Sequence, residues 1–181
     1  DSSEMLAKAT KAKKSIEFLE GIDYTKDADY EAISKTTTHI EGSPVEYVDG
    51  CKARISVLES DLANTLKQVS ARYPWGEFDK AALDGLADLG YKVRYYSVDE
   101  KRFDPQWAEL YPLQVVSNHN KKVWFVTVSP KDEVYSFPVQ ETAAPEGTAA
   151  QAAAEVADIK SEIVKCKAGL MNAKDYIPAT K

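Results

Sequence analysis

Apolar residues recur at helical spacing in several stretches and at strand spacing in one long stretch between them. Over residues 3–20, Leu6, Ala9, Ile16 and Leu19 form a sparse apolar face, with Ser2 or Ser3 placed to cap and Gly21 to end a helix. Cys51, Ile55, Leu58, Leu62, Leu66 and Val69 advance by threes and fours. That stripe predicts a long amphipathic helix from about Gly50 to Tyr73, stopped by Pro74 and Gly76. Asp79 then caps a shorter helix with Ala82, Leu83, Leu86 and Leu89 inward, and Gly90 closes it. Ala153, Val156, Ile159, Ile163, Cys166 and Leu170 carry the same period toward the end of the chain. Thr148 and Gln151 suit a capping box for that last helix, predicted to reach about Asn172.

After Gly90 the period drops to two. Tyr91 to Tyr95 alternates as a half-buried strand, and Leu113 to Ser117 reads as a second. Val123 to Val128 is apolar on both faces, the mark of a central strand covered on both sides. Val134 to Val139 reads as a fourth, at an edge because Pro138 has no N–H to donate. Polar turns at 117–120 and 130–132 join these strands into an antiparallel meander. Residues 22–50 are less regular. A short helix is expected over 27–34, a short strand over Thr36–Ile40, and turns at Gly42-Ser43-Pro44 and Asp49-Gly50. Glu141–Gly147 reads as a linker.

Helices, then strands, then one returning helix indicate an α+β class. The expected architecture is a single α+β domain over 1–181, with N-terminal helices (1–20 and 50–90), a four-stranded antiparallel meander (91–140) and a C-terminal helix (148–172). That last helix should return to pack on the helix that starts near Cys51.

Composition narrows the function classes. Lys and Arg number 23 against 29 Asp and Glu in 181 residues, a net charge of −6, which disfavours nonspecific nucleic-acid binding. In residues 22–50, seven acids face only Lys26 and Lys35, so nearly all of that charge is local. No apolar run is long enough to span a membrane. The first helix carries Lys8, Lys11, Lys13 and Lys14, which suit a solvated face or a docking patch for an acidic partner.

The two cysteines, Cys51 and Cys166, lie on the apolar stripes of two helices. If those helices pack together the sulfurs can meet, and a Cys51–Cys166 disulfide is expected; two separate buried thiols are the alternative. The acidic, Ser-rich start, Asp1-Ser2-Ser3-Glu4, agrees with a mature extracytoplasmic protein, periplasmic or secreted, where such a bond persists.

Catalytic signatures were sought without success. The two histidines, His39 and His119, have no ligand partners at helical or strand spacing. There is no Gly-x-Ser-x-Gly, Walker loop or Gly-x-Gly-x-x-Gly. Asp84 and Asp88 share a helix face as surface charges do. No catalytic residue, metal or cofactor is therefore assigned. The unusual surface chemistry lies after the first strand, where Tyr96, Phe103 and Trp107 stand beside Arg94 and Arg102. Rings and guanidiniums in a loop on a rigid sheet suit recognition. The reading is an exported, non-enzymatic accessory or structural protein acting through another protein. The alternative is a small-molecule-binding or sensory domain with a pocket lined by Tyr95, Tyr96 and Trp107. A hydrolase of unknown type ranks third.

Overall fold

The structure, a computed structural model, describes residues 1–133 and 136–176. It contains helices α1 (Ser2–Gly21), α2 (Tyr30–Lys35), α3 (Pro44–Arg72), α4 (Lys80–Asp88), α5 (Trp107–Leu110) and α6 (Ala149–Lys174). Its three strands are β1 (Tyr91–Asp99), β2 (Leu113–His119) and β3 (Lys122–Pro130). The class is α+β, and the chain forms two compact units. One is Asp1–Asn64 with the chain from Glu155 onward, and the other is Thr65–Ala154.

In the first unit, α3 and α6 pack together, as their stripes predicted, and they run antiparallel. Tyr47 lies over Gly169, Cys51 shares a cluster with Cys166 and Leu170, and Arg54 pairs with Glu162 at 2.7 Å. Leu19 and Ile22 of the α1 end join Val48, Cys51, Leu170 and Ala173 in the core. Polar ties hold the irregular segment against α6. Lys167 Nζ donates to Asp27 Oδ2 at 2.6 Å, Lys174 Nζ to the Ile22 carbonyl at 2.6 Å, and Asn172 Nδ2 to the Thr38 carbonyl at 2.9 Å.

The long helix starts at Pro44, not near Gly50: Gly42 turns the chain at φ +70°, and proline in the first helical position has no N–H to leave unpaired. Gly50 simply lies within the helix. The strand expected at Thr36–Ile40 is extended chain, because no described strand of this unit lies beside it to complete a ladder.

In the second unit the sheet has three strands, not four, in the order β1-β3-β2, so it is not a meander. Residues 136–140 form no strand, and Val134 and Tyr135 lie outside the described residues. Pro138 cannot donate to a ladder, and β1 occupies the edge of β3 that a fourth strand would need. β3 is central, with Phe125 opposite Tyr96 on β1 and opposite Val115 on β2. Its inward and outward residues are covered by different elements, which explains why it is apolar on both faces. The β2–β3 turn is Asn120-Lys121, both at positive φ (51° and 61°), the twist-matched two-residue hairpin. Asp79 accepts from Ala81 N at 2.9 Å to cap α4. The capping box of α6 is present in both directions: Thr148 N to Gln151 Oε1 at 2.9 Å, and Gln151 N to Thr148 Oγ1 at 3.1 Å.

Candidate functional site

The aromatic residues singled out from the sequence come together, but as packing. Tyr96 is 3% exposed and stacks on Phe125, with centroids 5.3 Å apart and planes at 12°. Phe103 meets Trp107 edge-on at 5.4 Å and Phe125 at 5.5 Å, while Trp107 meets Phe137 at 5.3 Å. With Val98 and Val123 they form the core on one face of the sheet. Tyr95, the next residue on β1, points to the other face, where Trp75 packs edge-on against it at 5.2 Å and against Trp124 at 5.4 Å. Alternation along a strand thus separates Tyr95 from Tyr96, and the two do not line one pocket. Arg94 Nη1 donates to Ser129 Oγ at 2.7 Å across the β1–β3 pair. Arg102 is exposed on the turn after β1, beside a polar depression that Asp99 and Lys122 also line. The two arginines do not join the rings in one surface. His119 ends β2, with its ring 5.1 Å from that of Tyr73 and its carbonyl accepting from Trp124 Nε1 at 3.1 Å.

Cys51 and Cys166 are free thiols; the expected disulfide is not formed. Cys166 packs against the apolar cluster that holds Cys51, and Tyr47 packs against the same cluster. The physical reason the helices hold without the bond is the apolar cluster around them, which also includes Val48, Leu170 and Ile55. Burial, the dominant influence, pushes both thiols above their ordinary range, and the phenol of Tyr47 likewise. Neutral, buried thiols are poor nucleophiles. Among the described residues no group of three His, Cys, Asp or Glu is placed to hold a metal, and no helix is long and apolar enough to cross a membrane.

The strongest candidate for function lies in the first unit and was not singled out from the sequence. It is a groove of about 420 Å³ along α1. Ala12, Ser15, Ile16 and Leu19 form one wall, Ile40 with Pro44, Val45 and Val48 the other, and Ala173 and Tyr176 close one side. The local reasons are plain. Gly42 turns the chain sharply, so Ile40 and the first turn of α3 face α1 together. The lining has no carboxylate, imidazole, thiol or cation. Its polar side chains are the Tyr176 phenol and the Ser15 hydroxyl, which is buried and has no hydrogen-bond partner. Such a surface can bind apolar groups but offers no acid, base or nucleophile of use to a reaction.

The apolar stripe of α1 continues beyond the groove. Met5, Ala9, Ala12, Ile16 and Leu19 advance by steps of four and three, and Met5 is 72% exposed. Residues 1–11 are exposed throughout. Leu6, read from the sequence as part of the inner face, lies off this stripe and is 69% exposed. The available signal was Met5 in place of Leu6: it extends the Ile16–Leu19 line at helical spacing. Comparison with known proteins finds no matching family model, curated protein or solved structure.

Proposed function

We propose that this chain is a non-enzymatic accessory or structural protein that acts by binding another protein along α1 and its groove. The observation that carries this reading is the α1 stripe, half seated in an apolar groove and half bare at Met5. A helix end of about eleven residues is marginal alone in water, because most helical stability in proteins comes from packing an apolar face. A partner laid on that face supplies the missing packing and removes Met5 and Ile16 from water. Contiguous exposed apolar surface of this kind marks interaction sites. The absence of carboxylate, imidazole, thiol and cation from the groove lining agrees with binding in preference to catalysis.

The test is site-specific photocrosslinking in the native source. A photoreactive side chain at Ile16 is expected to form a discrete adduct with another protein, whereas one at Asp84 on α4 is not. No protein adduct at Ile16, or equal adducts at both positions, refutes the reading.

A further inference from the structure

We infer that the occupant of the α1 groove is an amphipathic helix whose apolar face is flanked by acidic residues where it crosses Lys8 and Lys13. The inference rests on the protein-binding reading and deepens it. Three observations carry it. The first is shape. The stripe from Leu19 to Met5 spans 14 residues, about 21 Å of helix at 1.5 Å per residue, and only its later part lies in the groove. An occupant that covers all of it is elongated and must bury an apolar strip along one side, as a helix in a groove does. A compact small molecule would leave Met5 bare.

The second observation is charge. Lys8 follows Met5 by three and precedes Ala12 by four, so it stands on one shoulder of the stripe. Lys13 follows Ala9 by four and precedes Ile16 by three, on the opposite shoulder. Both are exposed. Cations on both shoulders favour carboxylates on both flanks of the occupant and disfavour lysine or arginine there. Lys11, further round the helix, pairs with Asp49 at 3.3 Å.

The third observation distinguishes a protein helix from a lipid surface, to which a basic amphipathic helix would otherwise be suited. The groove is concave. Ile40, Pro44 and Val45 rise opposite Ile16, and a flat bilayer cannot reach Leu19 or Val48 at its base. Glu41 and Glu46, exposed next to that wall in sequence, repel anionic headgroups and favour acids on the occupant only beside Lys8 and Lys13.

Two five-turn peptides (about 18 residues) provide the test. Both have the same leucine face; one has glutamates and the other lysines flanking its first half. Fluorescence anisotropy with the full chain should show the glutamate peptide binding about tenfold more tightly, an advantage that shrinks as salt rises. The double variant Lys8→Glu/Lys13→Glu should reverse the order, and Met5→Glu should weaken the glutamate peptide by about tenfold. Both changes are at exposed positions, and helical circular dichroism checks folding. Equal affinities, a preference for the lysine peptide, or indifference to the variants overturns the inference. So does displacement of the glutamate peptide by vesicles of anionic phospholipid. If neither peptide binds while the Ile16 crosslink still captures a protein, the helix chemistry fails and the protein-binding reading stands. If the crosslink fails, the latter falls with it.

Discussion

Gly169→Ala sets two effects of opposite sign against each other at the α3–α6 contact. Gly169 lies inside α6, where alanine favours the helix by about 1 kcal/mol. Against that, a Cβ there falls on the Tyr47 phenol oxygen, with ring carbons Cζ at 3.1 Å and Cε1 at 3.3 Å. The ring is rigid, half-buried and packed against the cluster of Val48, Cys51 and Leu170, so it cannot swing aside without losing that packing. Overpacking of this kind costs about 1–3 kcal/mol. The expected net effect is a loss of up to about 2 kcal/mol once the helix gain is subtracted. Tyr47→Phe removes the atom nearest the new methyl group. The Tyr47→Phe/Gly169→Ala pair should therefore be more stable than additivity of the singles predicts, by about 1–2 kcal/mol. Urea unfolding followed by helical circular dichroism measures all four corners of the cycle. A Gly169→Ala chain more stable than wild type by the full helix increment, with no coupling to Tyr47, would refute the packing of α3 on α6 described above.

Trp107→Ala should lower stability by about 3 kcal/mol, with adduct formation at Ile16 unchanged, because Trp107 packs on Phe103, Phe125 and Phe137; a variant that keeps its urea midpoint but loses binding would return Trp107 to a recognition surface. The hydrogen bond from Lys167, followed by one from the Asp29 backbone N–H, holds the Asp27 carboxyl below the ordinary aspartate range. Its folded pKa is depressed, so its stabilisation is complete above the unfolded value near about 3.9 and fades as pH falls through the folded one. Asp27→Asn should therefore narrow its stability deficit below about pH 4, and a deficit constant down the acid limb would contradict the pairing. Ellman titration should count two thiols in denaturant and react sluggishly with the native chain, since burial raises both; a count of zero in denaturant would establish a disulfide instead.

Legibility differed from element to element for physical reasons. The stripes through Cys51–Leu62 and Val156–Leu170 were readable because an amphipathic helix repeats every few residues, and their pairing followed from two complementary apolar faces, though not its antiparallel direction. The Thr148–Gln151 capping box and the Asp79 cap were readable because each involves a hydrogen bond within three residues. The central place of β3 was legible in its two apolar faces. The fourth strand failed at a subtler level. Phe137 and Val139 do turn to the sheet core, as an alternating strand would, but as loop residues, with β1 on the β3 edge. Tyr96, Phe103 and Trp107 posed a different difficulty: aromatics near arginines look the same in sequence whether they face solvent or a neighbouring ring.

By itself, then, the amino-acid order determined the long helices in outline, the Asp79 and Thr148 caps, the strand that must be covered on both sides and the balance of charge, because each depends on spacing within a few residues or on composition; the cap of α1 is Asp1, not Ser2 or Ser3. Tertiary structure alone decided which apolar faces found cover. It turned the aromatic cluster inward, left Cys51 and Cys166 as free thiols, and seated Ile16 in a groove while Met5 on the same stripe remained in water. Burial is a property of what lies opposite a residue, and for α1 the opposing wall comes from Ile40, Val45 and Ala173, distant in sequence and carrying no local sign of their common partner.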